Sequence, residues 1–204
     1  MAAEPQVYEL LAQALLYPDA TFAGKVHARA QALAVVASWA QQMVDALRGA
    51  ALEDLQTEHV RLFVNAWGGA PCPPYESVYT NGQMLGEVSQ DVAALYAQWG
   101  VEETSEMPDY AAVELAFATQ LARLLLGLEA EAERDLVRQT LEAFERDHLR
   151  AWLPRLAADL QAAADLAFYQ ALGSALQAVF GVEEAANRTR RHTAASDLCL
   201  DLPA

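Results

Sequence analysis

The sequence predicts an all-α protein, and three observations carry that prediction. Hydrophobic residues make up 54% of the 204-residue chain, enough for a sizeable core and too many for disorder. Alanine is abundant while Gly and Pro together number only 18, so strong helix formers dominate and breakers are sparse. Apolar residues recur at spacings of three and four along most of the chain, the period of a helix with one buried face. No internal repeat, low-complexity tract or long linker divides it. The expected organisation is one helical domain over residues 1–182, a bundle of about eight or more helices, followed by a tail over 183–204.

The first predicted helix runs from Pro5 to Tyr17, with proline at a favoured first position, another at Pro18, and Val7, Leu10, Leu11 and Ala14 as its apolar face. Thr21 suits the N-cap of a second, where Val26, Ala30, Leu33, Ala37, Ala40, Val44 and Leu47 form one narrow seam that Gly49 stops. A third spans Leu52 to Ala66. Its inner face carries Leu55, His59, Leu62 and Ala66, with Phe63 alongside and Glu58 at the edge of the stripe. A fourth covers Gln83 to Trp99, with Leu85, Val88, Val92, Leu95 and Trp99 inward and Gly100 past its end.

A fifth, capped by Ser105 or Asp109, runs to Leu128 with Tyr110, Glu114, Phe117, Leu121, Leu124 and Leu128 on one face, so Glu114 is a carboxylate inside an apolar stripe. A sixth covers Ala130 to Leu149. Pro154 marks a new start near Trp152 for a seventh, which reaches Ala164. The eighth begins at Asp165 and is ended by Gly181.

One stretch breaks this pattern: Pro71-Cys72-Pro73-Pro74-Tyr75-Glu76-Ser77-Val78-Tyr79. Its prolines fix the backbone and remove donors, and Cys72 and Pro73, each preceding a proline, are pushed out of the helical region. The segment reads as a stiff connector or as a binding loop. A second non-helical stretch, Glu102 to Tyr110, is acidic. Glu58 and Glu114 adjoin these loops, and the expectation is that both carboxylates accept hydrogen bonds from loop backbone donors. On that reading Glu114→Gln destabilises the fold.

The net charge of −15 disfavours nucleic acid and anionic membrane surfaces and favours a cationic partner. Two cysteines, Cys72 and Cys199, supply neither a metal spacing nor a disulfide framework. The N-terminal residues lack a basic and apolar leader, and the longest uncharged run, Leu166 to Val182, carries Gln170, Ser174 and Gln177 on one face, as a core helix does; a cytoplasmic protein is expected. Glu145-x-x-His148 is half of a di-metal motif whose other half is missing, and reads as a solvated helix surface. No phosphate loop, nucleophile elbow or dinucleotide fingerprint occurs. No catalytic set or cofactor is expected.

Taken together, Glu58-x-x-x-Leu62-Phe63, Pro73-Pro74-Tyr75-Glu76-Ser77-Val78-Tyr79, Pro108-Asp109-Tyr110 with Glu114-Leu115-x-Phe117, and His148-Leu149-x-x-Trp152-Leu153-Pro154-x-Leu156-Ala157 resemble the TorD/DmsD/NarJ family of molybdoenzyme maturation chaperones. They occur in family order, and the resemblance spans Val7 to Phe180. The Cys-Pro-Pro-Tyr-Glu-Ser form looks most like chaperones of the dimethyl sulfide dehydrogenase, ethylbenzene dehydrogenase and selenate or chlorate reductase group.

The resemblance implies a TorD-like helical fold, a cytoplasmic non-enzyme, and binding of the apo catalytic subunit of a molybdopterin oxidoreductase or of its twin-arginine signal peptide, as a monomer or a domain-swapped dimer. Carried over by position, the client-binding region is Leu62, Phe63, Trp67, Pro74, Tyr75, Glu76, Ser77, Tyr79, Pro108, Asp109 and Tyr110, with Glu58 and Glu114 as structural carboxylates. One departure is that Tyr110 stands where the family commonly has histidine, which removes any role resting on that imidazole. The competing classes are a metal- or haem-binding helical enzyme and a structural adaptor subunit.

Overall fold

A computed structural model describes residues 3–64, 69–101 and 106–181. The tail expected over 183–204 and Trp67 lie outside the described residues. Those described form ten α-helices with two π turns and no strand beyond one isolated bridge. The all-α prediction holds.

Helix α1 (Pro5–Leu15) is the axis of the fold. It buries Tyr8, Leu10, Leu11, Ala12, Ala14 and Leu15, more than one stripe, because helices lie on several of its sides. α2 (Phe22–Leu33), α7 (Ala111–Gly127) and α10 (Ala167–Phe180) all pack on it, α7 most extensively.

The single long second helix of the sequence reading is two helices. α2 ends at Leu33, a turn follows, and α3 (Ser38–Leu47) folds back against α2. The break falls at Val35-Val36, a β-branched pair that loses rotamer freedom in a helix. Both valines face solvent, 86% and 84% exposed, so neither stripe extends across the turn. The seam kept its spacing on both sides of the break, which hid it. Thr21 does not cap α2 with its side chain; Asp19 Oδ1 instead accepts from both the Thr21 N–H and hydroxyl at 2.7 Å.

α4 (Leu52–His59) runs into a π turn, Val60–Val64, that turns Leu62 and Phe63 into the core. α5 (Glu76–Asn81) and α6 (Glu87–Gln98) follow. The start of α6 is four residues later than expected, because the chain bends at Gly82–Gly86, where Leu85 adopts φ +63° and stays exposed rather than joining the stripe of Val88, Val92, Leu95 and Trp99.

α8 (Glu131–Phe144), a π turn at Glu145–Leu149 and α9 (Arg150–Ala163) are continuous. The start expected near Trp152 does not exist; Pro154 sits inside α9. The π turn inserts an extra residue just upstream and brings Glu145 and Leu149 onto the same inward side as Trp152, Leu153, Leu156, Ala157 and Leu160. α10 closes on α9 at Gly173, where a Cβ would lie 2.9 Å from the Ala157 carbonyl. No helix among the described residues is long and apolar enough to cross a membrane.

Candidate functional site

The two irregular segments of the sequence meet. The proline segment first returns to the π turn of α4, where the Cys72 N–H donates to the Leu62 carbonyl at 2.9 Å. It then runs antiparallel to the segment before α7: Glu76 N–H donates to Asp109 O at 3.0 Å, and Ala111 N–H to Pro74 O at 2.9 Å. This one bridge pairs Tyr75 with Tyr110, whose rings lie 5.6 Å apart. The prolines leave few other donors to use.

Asp109 fastens the junction. It is fully buried, and its carboxylate accepts from the Ser77 N–H at 3.1 Å and the Ser89 hydroxyl at 2.9 Å. It therefore caps α5 across the junction. The expectation that it caps the following helix fails, since α7 begins after Tyr110 with no side-chain cap. Tyr110 sends its hydroxyl to the Leu15 carbonyl at 2.6 Å and so ties the junction to the end of α1. Tyr96 does the same from α6, donating to Pro108 O at 3.0 Å.

Beneath the bridge lies a buried polar row. Glu76 Oε2 is 2.9 Å from His148 Nδ1. Glu114 accepts the Trp152 indole N–H at 3.0 Å on Oε2, while its Oε1 meets no donor. Burial, and then the charge of Glu76 and the hydrogen bond shared with it, raise the Glu114 carboxyl well above its ordinary value. A proton on Oε1 gives the orphan oxygen a donor role, with Glu76 as acceptor.

The expectation of loop-backbone donors to Glu114 is thus wrong. Glutamine, which mimics the protonated acid, keeps the bond from Trp152, and the predicted destabilisation by Glu114→Gln no longer follows. Glu58 does accept backbone donors, but from Asp165 and Leu166 at 2.6 and 3.3 Å, in the α9–α10 loop. Burial alone would raise its carboxyl, yet the Arg61 fork at 2.7 Å and these N–H groups outweigh that and hold it below its ordinary value.

Glu145 and His148 are not a solvated surface pair. Glu145 is buried and bonded to the Tyr8 hydroxyl and the Ala3 N–H, and His148 belongs to the polar row. The π turn buries Glu145 and sets His148 half-buried against Glu76. Among the described residues no three His, Cys, Asp or Glu side chains converge as ligands for a metal. Burial, then the charge of Asp159, push the Cys72 thiol up to about 12, which leaves it unreactive.

Of the predicted client-binding residues, Leu62, Phe63, Pro74, Glu76, Ser77, Asp109 and Tyr110 are buried, whereas Tyr75, Tyr79 and Pro108 are half-buried at the surface. Tyr79 packs on Trp152 with ring centres 5.4 Å apart, donates to Asp159 at 2.8 Å, and carries the Arg155 guanidinium over its face at 5.5 Å. Sequence reasoning did not place Ser89, Trp152 or His148 at this site. Trp152 and His148 stand in a quoted motif, but nothing in the spacing says that they face the loops.

Close by, His59 is buried among Phe63, Tyr17 and Tyr169, with ring centres 4.8, 5.4 and 6.4 Å away, and its Nδ1 has no partner. Burial depresses the imidazole to about 4. The unfolded chain takes up this proton below pH 6.5 and the fold resists it down to about 4, so stability falls as pH drops through that window, by about 3 kcal/mol in all. Urea unfolding at pH 7 and pH 4.5 is expected to show most of this loss in the wild type and little of it in His59→Leu. Equal losses in both would place the acid sensitivity elsewhere.

Comparison with known proteins fits this architecture. No curated protein sequence matches. Among solved structures, a candidate redox enzyme maturation protein from Archaeoglobus fulgidus superposes with a TM-score of 0.64 at 23% identity, covering 90% of this chain and 96% of that one, which shows a shared fold. The nitrate reductase delta subunit family matches over residues 28–158. That family agrees with the TorD/DmsD/NarJ resemblance, though neither comparison selects a subgroup. The matched span begins within α2, ends within α9 and contains both halves of the bridged junction and the polar row beneath it: the chain belongs to the nitrate reductase delta subunit family.

Proposed function

We propose that this protein is a cytoplasmic maturation chaperone, not an enzyme, and that it holds the apo catalytic subunit of a molybdopterin oxidoreductase, or its twin-arginine signal peptide, until the cofactor is inserted. The observation that carries this reading is the loop junction. A stiff proline segment and the residues before α7 are joined by a single bridge over a buried acidic row, with Tyr75, Tyr79 and Pro108 at the surface. An export signal combines basic residues with an apolar stretch. Half-exposed aromatics suit the apolar part, and a chain of net charge −15 attracts the basic part. The client-contacting set is first Tyr75, Tyr79 and Pro108 at the surface, with Trp67 carried over from the sequence alone. Leu62, Phe63, Pro74, Glu76, Ser77, Asp109 and Tyr110 become available as the loops part.

The test is co-purification from the native host, grown where an alternative respiratory enzyme is made, with the bound protein identified by mass spectrometry. A molybdopterin oxidoreductase subunit lacking its cofactor, or still carrying its signal, supports the proposal. Tyr75→Ala is expected to lower its recovery at least fivefold, as for loss of a moderate hot spot, without a comparable loss of fold. A fully loaded mature complex would mark an adaptor subunit instead, and coloured or metal-bearing protein without a client would mark a cofactor enzyme.

A further inference from the structure

The junction encloses more acid than base. Glu76 on α5, Asp109 ahead of α7 and Glu114 on α7 are all buried. Glu114 is faced by Glu76 and Asp109, by the Trp152 N–H from α9, and by the Tyr96 hydroxyl from α6, which donates to the Pro108 carbonyl. His148, from the π turn before α9, reaches Glu76 alone. Asp109 has two donors and Glu76 has the imidazole, but Glu114 Oε1 is buried with none. Buried carboxylates that share one site, with an imidazole on Glu76 but no donor on Glu114 Oε1, are relieved by a proton on one of them.

We propose that a single proton shared by Glu114 and Glu76 latches the two loops together, and that the latch opens by losing it. Glu76 is where the two functions meet. Its N–H makes half of the bridge, to Asp109 O, while its carboxylate is the partner of Glu114. Parting the loops admits water, the Glu114 carboxyl gives up the proton, and the closed state therefore holds one proton more than the open one. Opening is favoured as pH rises, up to tenfold per unit. An opened junction presents two or three carboxylates together, suited to a basic client segment. That last step rests on the proposed function; the proton linkage does not.

The test is amide hydrogen exchange of Glu76 and Ala111, the two N–H groups of the bridge, followed by NMR from pH 6 to 9 and corrected for the intrinsic chemical rate. In the wild type the opening constant is expected to climb toward tenfold per pH unit. In Glu114→Gln, which keeps the acceptor for Trp152 and gives Glu76 a permanent donor, it is expected to stay low and flat. If that variant does not fold, Glu76→Gln removes the same charge conflict and is expected to flatten the slope too. A flat wild-type profile, or the same slope in the variants, overturns the latch. A slope that His148→Gln abolishes and Glu114→Gln keeps overturns it in favour of the Glu76–His148 contact. Failure to bind a client leaves these rates untouched and counts only against the proposed function.

Discussion

Trp152→Ala is expected to cost the fold about 4 kcal/mol, the range for deleting a large buried aromatic side chain. The indole is fully buried, packs on Tyr79 and gives Glu114 its one visible donor. Truncation therefore opens a cavity and strips a buried oxygen of its partner at once. Trp152→Phe separates the two losses. It keeps most of the volume and removes the N–H, and about 1–3 kcal/mol is expected for the unsatisfied acceptor. Urea denaturation of both variants at pH 7 checks this. A loss under 2 kcal/mol in Trp152→Ala would mean that α9 collapses onto Tyr79 and that the indole does not anchor the polar row.

Asp109→Ala is the second large effect, about 3 kcal/mol. Hydrogen bonds to a charged acceptor contribute about 1.5–3 kcal/mol each, and two are lost. Relief from burying a carboxylate offsets part of the sum. The residue also spans the junction, so its loss is expected to speed exchange at Glu76 and Ala111 more than at the core amides of α1. Asp109→Asn retains one acceptor oxygen and is expected to fall between alanine and wild type. A loss of less than 1 kcal/mol in Asp109→Ala would show that the backbone bridge holds the loops without the cap.

The sequence revealed the helices better than their breaks. Period and composition located α1, α7 and α10 closely, because each has a stripe and a terminator that local chemistry defines. The α2–α3 turn was hidden because the stripe kept its spacing on both sides. The two π turns were hidden because an inserted residue leaves no composition signal, only a shift of phase. That shift explains the misreading of Glu145 and His148: a 3.6-residue count puts them outside, and the inserted residue turns them in. Pro154 was taken for a start because proline usually is one, yet here the helix continues through it.

At the site, the proline segment and Pro108-Asp109-Tyr110 were legible as irregular and chemically rich. What sequence could not give was their meeting, since a bridge between residues 35 apart depends on how α5, α6 and α7 pack. It also could not distinguish a carboxylate that receives backbone donors, as Glu58 does, from one whose carboxyl burial and a neighbouring acid push upward, as they do at Glu114. Both look alike on a helical wheel.

The position of α1 has a consequence for how the chain is made. Its partners α7 and α10 begin about a hundred or more residues later in the sequence. At a synthesis rate of about 5–20 residues per second, α1 leaves the ribosome roughly 5–20 s before α7 exists to cover it. Through that interval Leu10, Leu11 and Leu15 lack most of their final cover, and the local pairings of α1 with α2 and of α2 with α3 are the structures that can form first. The central helix of the fold thus waits half-covered, on α2 alone, until the second half of the chain arrives.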